Sequence, residues 1–431
     1  MMKDTRRPLP VSGMTRVGQQ SLRAHNLCLT FSHIANADLF HPPSRADIAE
    51  ATGLTKATVS ALVTKLLELE LIEELPPPVK HGAGRPGVPL IVAPGKVVAL
   101  GLEISVDFLG LRSIDLTGMT LTDCFSRVNL RQSDPRVAFA TLIQQAYDLI
   151  RSLTNHHVRI IGACLALPGI ADHPQGPLRM APNLGWLDID IKQMIANTIT
   201  ELASNLTDEA GNRRIINLMT ELLVDNLLVG NEANLAARAE IQTSRDQSFI
   251  YVSGEIGIGA AIVMDGRVFS GLHGWAGEIG HIVVDHRGPT CGCGASGCLE
   301  TYAGKHALML RAGLTADEDI ATLLQAYQLG DQKALDAINR AGQALGFALA
   351  DSMNLIDVSR IVLGGSFAGL AGVLSEGLAA QITSRVLSYR WVGNDFEIRA
   401  ASSGDYAAAT GGALTTIDKI VNDPASSFWQ R

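Results

Sequence analysis

A chain of 431 residues with 47% hydrophobic and 18% charged residues has the make-up of a globular protein. Its length predicts two or three domains, because a single core seldom grows beyond ~250–300 residues. Its apolar runs, such as Val97 to Leu102, fall far short of the ~20 residues of a membrane helix, which excludes a helical membrane protein. The net charge of −8 is unevenly spread: residues 1–95 carry ten Lys/Arg against eight Asp/Glu, and the remainder 25 against 35. Only the N-terminal segment therefore has a balance that suits nucleic acid.

Residues 1–17 hold Arg6, Arg7, Pro8 and Pro10 without a secretory apolar core, so they read as a disordered arm on a cytoplasmic protein. Residues 18–95 read as a DNA-binding domain. Leu22, Leu27, Leu29, Phe31 and Ile34 predict a first helix, ended by Pro42-Pro43. Ser44 starts a second helix carrying Ile48 and Ala49. Gly53 supplies a left-handed turn, and Thr55 caps a third helix that buries Val59, Leu62, Val63, Leu66 and Leu67. This is helix-turn-helix spacing. It leaves Ser44, Thr55, Lys56, Thr58, Ser60 and Lys65 as candidate contacts to phosphates and base edges of a double-stranded operator. Leu71 to Leu75 and Leu90 to Val92 predict a hairpin whose Gly84-Arg85-Pro86 tip forms a wing, with Arg85 suited to an A·T-rich minor groove. The competing readings are an ordinary helical pair and a flexible Pro/Gly linker.

From residue 96 onward the texture changes to strands alternating with helices. Strands are predicted at Val97–Ile104, Leu109–Leu116, Leu121–Asn129 and Ile160–Ala166, with an amphipathic helix at Val137–Leu153. Further strands at Phe249–Val252 and Ala260–Met264 flank a glycine turn, and a helical region precedes Gly364-Gly365-Ser366. Two such halves predict two α/β lobes around a cleft in residues 96–431.

His281, Cys291, Cys293 and Cys298 form the run H-x9-C-x-C-x4-C, which holds three of the six cysteines. One imidazole and three thiolates complete a closed tetrahedral Zn²⁺ site, structural because no position is left for water. Gly292, Gly294 and Gly297 suit a loop wrapped around a metal; a disulfide cluster and a chance Cys-rich turn are the alternatives. Glu278 and Glu300 bracket the run, so a metal there would organise a binding site whose chemistry lies elsewhere.

The ordered set Gly257-Ile258-Gly259, Gly277-Glu278-Ile279-Gly280-His281, Cys291-Gly292-Cys293-Gly294 and Gly297-Cys298-Leu299-Glu300 resembles the ROK family, named for repressors, open reading frames and kinases. Upstream matches are Pro168-Gly169, Pro182-Asn183-Leu184 and Asn231-Glu232-Ala233-Asn234. Gln20-Ser21-Leu22-Arg23 and Gly84-Arg85-Pro86 point to the repressor branch. The resemblance implies a winged helix-turn-helix followed by an actin-like, sugar kinase/ribonuclease H-like body. It also implies a sugar held by Asn183, Asn231, Glu232, Glu278, His281 and Glu300. Carboxylates and amides make paired hydrogen bonds to vicinal hydroxyls, and His281 has one ring nitrogen for zinc and one for a sugar.

Kinases of the family carry a phosphate loop of the type Asp-x-Gly-Gly-Thr, where this chain has Glu103-Ile104-Ser105-Val106-Asp107. Both glycines are missing, and Asp107 repels phosphate. Glu255 replaces a Thr of the second loop, and Glu232 stands where the family's catalytic Asp follows Asn. The expectation is therefore a sugar-responsive transcriptional repressor, a homodimer or homotetramer, with no ATP bound and no catalysis. The alternatives are an ATP-dependent sugar kinase with an accessory DNA-binding head, and a scaffold that associates through its zinc loop.

Overall fold

Short amphipathic helices build the N-terminal segment around one small core. In this computed structural model, α1 (Gln19–Ala35) buries Ala24, Leu27, Cys28, Phe31 and Ile34 along one face. Leu22 and Leu29 of the same helix are exposed, because they lie off its 3.6-residue repeat. In α2 (Arg45–Thr52), Asp47 at the third position accepts from the Ser44 backbone amide and hydroxyl, both at 2.9 Å. Gly53 at φ 70° ends that helix, and Thr55 accepts from the Thr58 amide to start α3 (Lys56–Glu68). Val59, Leu62, Val63 and Leu66 of α3 are buried; Leu67, expected among them, is only half-buried. β1 (Ile72–Glu74) pairs antiparallel with β2 (Leu90–Val92), closing the hairpin.

The structure describes residues 19–38, 40–77, 87–171, 177–207, 209–244, 246–316, 318–391 and 395–423. The arm over 1–17 and the wing tip with Arg85 therefore lie outside the described residues. Two units result, Met1–Ala93 with Asp418–Arg431, and Pro94–Ile417. This differs from a body running from 96 to the C-terminus: the chain end groups with the N-terminal segment, where the buried Cys28 thiol donates to the Val421 carbonyl at 3.1 Å.

The larger unit has two five-stranded sheets. β3 (Val97–Ile104), β4 (Phe108–Asp115) and β5 (Thr120–Arg127) form an antiparallel meander. α4 (Pro135–Asn155), capped by Asp134, leads to β6 (Arg159–Leu167), parallel to β3. The segment that follows holds elements not read from the sequence. They are a small sheet of β7 (Ile170–Ala171), β8 (Leu178–Ala181) and β9 (Trp186–Ile189), then α5 (Ile191–Asn205) and α6 (Ala210–Thr220). β10 (Leu228–Asn231) then completes the order β10-β6-β3-β4-β5 and runs into α7 (Glu232–Thr243).

The second sheet contains β11 (Phe249–Gly254), β12 (Ile258–Met264), β13 (Arg267–Phe269), β14 (Arg360–Gly365) and β15 (Glu397–Ala400), ordered β13-β12-β11-β14-β15. Between β13 and β14 come α8 (Glu300–Ala303), α9 (Lys305–Arg311), α10 (Ile320–Gln328) and the 25-residue α11 (Gln332–Ile356). α12 (Ser366–Arg385) and α13 (Leu387–Trp391) follow β14, and α14 (Ala407–Val421) follows β15. Each sheet buries its own apolar cluster, one around Leu102, Phe139 and Leu165, the other around Val252, Leu345 and Leu363. Among the described residues no helix is long and apolar enough to cross a membrane.

Two glycines let the elements meet backbone to backbone: a Cβ on Gly101 of β3 would overlap the Ala409 carbonyl, and one on Gly411 of α14 the Leu235 carbonyl of α7. Gly411→Ala should therefore lower Tm by ~3–6 °C in thermal denaturation, the cost of overpacking a tight crossing. An unchanged Tm would mean that the crossing relaxes freely.

Candidate functional site

In the smaller unit, Lys56, Ser60 and Thr55 are exposed at the start of α3, and Thr58 is half-buried. The Thr55 and Thr58 hydroxyls bond one another at 2.9 Å. Lys65 lies 3.7 Å from Glu68 on the same helix. Ser44, half-buried, is committed to Asp47 at the start of α2, so its hydroxyl acts first as local structure.

In the larger unit, the loop after β13 folds the four presumptive metal ligands together. One ligand atom from each of His281, Cys291, Cys293 and Cys298 lies within 4.8 Å of all the others. Cys291 Sγ is 3.8 Å from His281 Nδ1, and Cys293 Sγ is 3.7 Å from Cys298 Sγ. A tetrahedron with Zn–S of ~2.3 Å and Zn–N of ~2.0–2.1 Å has edges of ~3.5–3.8 Å, so the donor set fits zinc. All six cysteines are free thiols, which removes the disulfide alternative. The turn is tight: Cys291 N bonds Ala295 O at 2.7 Å, Gly297 N bonds Pro289 O at 2.7 Å, and a Cβ on Gly297 would overlap the Asp285 carbonyl.

The same loop presents the acidic residues. His281 ends a 3₁₀ turn, Ile279–His281, that begins after Glu278. Its Nδ1 faces the thiols while its Nε2 lies 4.0 Å from Glu278 Oε2. Glu300 Oε1 is 3.8 Å from Cys291 Sγ, and its Oε2 reaches towards Gly257, beside Asn183. A Cβ on Gly257 would overlap Glu300 and lie 2.8 Å from Asn183 Nδ2, so glycine there lets these groups converge. Asn231 is used differently. Its Oδ1 accepts from the Ala233 and Asn234 amides, and its Nδ2 donates to Gly169 O at 3.1 Å. That cap fixes the start of α7, where Glu232 projects.

Next to this group lies a cavity of about 740 Å³ whose lining includes Glu103, Asp107, Glu232, Glu255, Tyr251 and Ser253. Glu103, 5% exposed at the end of β3, accepts from the Ala409 amide in the first turn of α14 at 3.0 Å. The Glu255 carboxylate sits against Gly365, the residue that precedes α12. Sequence reasoning singled out both glutamates, but it missed Tyr251, Ser253, Tyr406 and the amides of 407–409, which come from strands and loops distant in the chain. The run Ala407-Ala408-Ala409 was the available signal, since only small residues allow a helix end so close to a strand.

Residues 215–419 match the ROK family. The chain carries a ROK-family domain. It is 28% identical to the xylose repressor of Bacillus subtilis over 88% of this chain and 92% of that protein. It is 26% identical to the DNA-binding transcriptional dual regulator NagC of Escherichia coli, over 81% and 83% of the two chains. Among solved structures, a ROK family transcriptional regulator, a homologue of the E. coli MLC protein, superposes with a TM-score of 0.70 at 23% identity, covering 95% of this chain and all of that one. A ROK glucokinase from Streptomyces griseus in complex with glucose and AMPPNP superposes at 0.58 with 20% identity, over 74% and 98%. The expected winged head and actin-like α/β body are the fold found.

Burial dominates the electrostatics of the cleft floor. Desolvation pushes Glu103, Glu232 and Glu255 up to about 8 each; their mutual repulsion and Asp107 add to the effect. The Ala409 amide opposes the shift on Glu103, and Lys305 opposes it on Glu255. Glu278 is raised too, by desolvation first, while His281 pulls it down and Glu300 up. An acid whose pKa rises on folding binds more protons folded than unfolded, so its contribution to stability is complete below the ordinary carboxylate range. It is lost as pH climbs through about 8. Glu255→Gln, which fixes the neutral form, should leave Tm near that of the wild type at pH ~4 and raise it increasingly as pH climbs, by ~3 °C or more at pH ~9. A Tm difference independent of pH would reject the assignment.

The metal site yields a second test. Purified protein should contain one zinc per chain by atomic emission, and Cys298→Ser should lose most of it, with a lower Tm. Full metal retention by that variant would rule out the four-ligand set.

Proposed function

We propose that this protein is a sugar-responsive transcriptional repressor of the ROK family, acting in the cytoplasm as a homodimer or homotetramer. In this reading Lys56, Thr55, Thr58, Ser60 and Lys65 address a two-fold operator from α3, and Arg85 contacts the adjoining minor groove. The effector is a mono- or disaccharide or a sugar derivative. Glu278, Glu300, Glu232, His281 and Asn183 hold its hydroxyls, and Asn231 keeps Glu232 in place. Bound zinc supplies rigidity to the His281 loop and no chemistry of its own. Support comes from the named relatives, both DNA regulators, and from the convergence of Asn183 and Glu300 at Gly257 with His281 between Glu278 and the thiols.

The observation that favours a sensor over a kinase is the cleft floor. Helix N-termini suit phosphate because their free amides and dipole favour negative charge. Here Glu103 already occupies the first turn of α14, and Glu255 lies against the start of α12. A nucleotide phosphate brought there would meet Glu103, Asp107, Glu232 and Glu255. Sugar binding then acts by preferring one of two conformations that differ in operator affinity, which needs a coupling of only ~1–3 kcal/mol.

Two substitutions separate the roles. Lys56→Ala should weaken operator binding in a gel-shift or anisotropy titration by about tenfold and leave sugar-induced thermal stabilisation intact. Glu278→Ala should leave operator binding intact and remove the sugar response. Incubation with ATP, Mg²⁺ and a panel of hexoses and pentoses should give no sugar phosphate, and turnover at ordinary enzyme rates would overturn the sensor reading.

A further inference from the structure

The cavity beside the sugar group is larger than a sensor without nucleotide requires. At about 740 Å³ it has the size of small-molecule sites in general. Apart from Glu232, it is lined by groups that the proposed sugar contacts leave unused. Tyr251 and Ser253 are two apart on β11 and so share one face of that strand; both line the cavity. They are 2% and 7% exposed, and neither side chain has a hydrogen-bond partner among the described residues. Neither hydroxyl is sealed in the core: each opens into the cavity, where a bound group can supply its partner. Two on one strand face, both opening into one cavity, point to a ligand that supplies the partners.

The charge around them narrows the ligand's chemistry. Glu103, Glu232, Glu255 and Asp107 share the floor with these hydroxyls, and the Glu232 and Glu255 carboxylates accept no hydrogen bond from any described residue. The basic lining residues Arg127 and Arg131 are exposed, and Lys305 and His306 half-buried. Acid thus lies deep and base lies at the mouth. Phosphate is disfavoured at the floor because the described lining there offers acids and no buried cation, the basic residues standing at the mouth. A single metal ion is disfavoured by spacing: among the described residues, the only three or more His, Cys, Asp or Glu ligand atoms mutually within 4.8 Å are those of the His281 cluster. What remains is a larger organic cation with several hydrogen-bond donors. Tyr406 gives it an aromatic wall, its ring stacked on Phe125 at 3.6 Å.

We infer that this half of the cleft is a second ligand site, built for a hydroxylated primary amine. The ammonium lies between Glu255 and Glu232, and the ligand's hydroxyls pair with Tyr251 and Ser253. The site adjoins the proposed sugar group and shares Glu232 with it, but its occupancy does not require Glu278 or Glu300 to bind a ligand.

Calorimetric titration of the full chain with D-glucosamine, N-acetyl-D-glucosamine and MgCl₂ near neutral pH tests this. D-glucosamine should bind. Glu255→Gln should weaken it by about tenfold or more, as expected for loss of a charge-assisted contact, with N-acetyl-D-glucosamine affinity changed less than about twofold. Tyr251→Phe, which removes one oxygen from an otherwise intact core, should weaken D-glucosamine several-fold with a Tm within ~2 °C of wild type, separating binding from folding. Equal losses for the amine and its N-acetyl form, no effect of either substitution, or displacement of the amine by Mg²⁺ would each overturn the proposal. Glu278→Ala distinguishes the two sites: if it abolishes neutral-sugar binding while the Glu255-dependent amine binding persists, both readings stand. If no neutral sugar binds the wild type but the amine does, the sugar reading fails and the second site survives.

Discussion

The Glu103 carboxylate on the Ala409 amide is the contact on which the cleft depends. It ties the end of the central strand of one sheet to the first turn of α14, and it works only because Gly101 and Gly411 bring strand and helix together at backbone distance. A second buried acid supports the same segment from the other side. Glu240, with no side-chain exposure, accepts from Arg399 Nη1 at 2.6 Å, from the Ser402 hydroxyl at 2.9 Å and from the Ser402 and Ser403 amides at 2.8 and 2.9 Å. These bonds hold the turn between β15 and α14. Arg112 completes the anchorage by donating to Asp405 O and Thr410 Oγ1.

The two glutamates differ in what burial does to them. Glu240 is surrounded by donors and a guanidinium, the condition under which a buried charge is tolerated. Among the described residues Glu103, Glu232 and Glu255 accept from one backbone amide between them, and they stand close enough to raise one another's pKa. A floor of this kind is poorly matched to phosphate and well matched to cations. Alongside it, the zinc-type loop solves a separate problem: a short, glycine-rich segment with little apolar surface of its own needs a rigid frame. His281 is shared between them, with Nδ1 towards the thiols and Nε2 towards Glu278. A metal held by the thiols and a ligand held at Glu278 would thereby be linked through one ring.

Much of the local structure was legible in the residues. The Gly53 turn, the Thr55 cap and the 3.6-residue repeat of α3 follow from short-range rules and recur in the structure. So do the β3 to β5 meander and α4. Leu67 was misplaced because being apolar does not by itself assign a residue to the buried face; only the other helices decide which face is covered. The segment from β7 to α6 was missed for a related reason. Its strands are two to four residues long, too short for a period to emerge. Asn231 showed its motif in the sequence and caps α7 through the nearby Ala233 and Asn234 amides, but its second bond, to Gly169 O 62 positions earlier, was not legible there.

The sequence by itself determined the His281, Cys291, Cys293 and Cys298 cluster, the third helix of the N-terminal segment and the family to which the motifs point, since each rests on spacing within a few residues or a few tens of residues. Tertiary structure alone decided that the C-terminal residues join the N-terminal unit, that Glu103 and Glu255 lie at two helix starts, and that Tyr251 and Ser253 face a cavity beside them. The physical reason is range. Caps, turns and thiolate spacing are settled by neighbours along the chain, whereas a carboxylate's pKa and a hydroxyl's lack of a partner are set by groups up to 306 positions away.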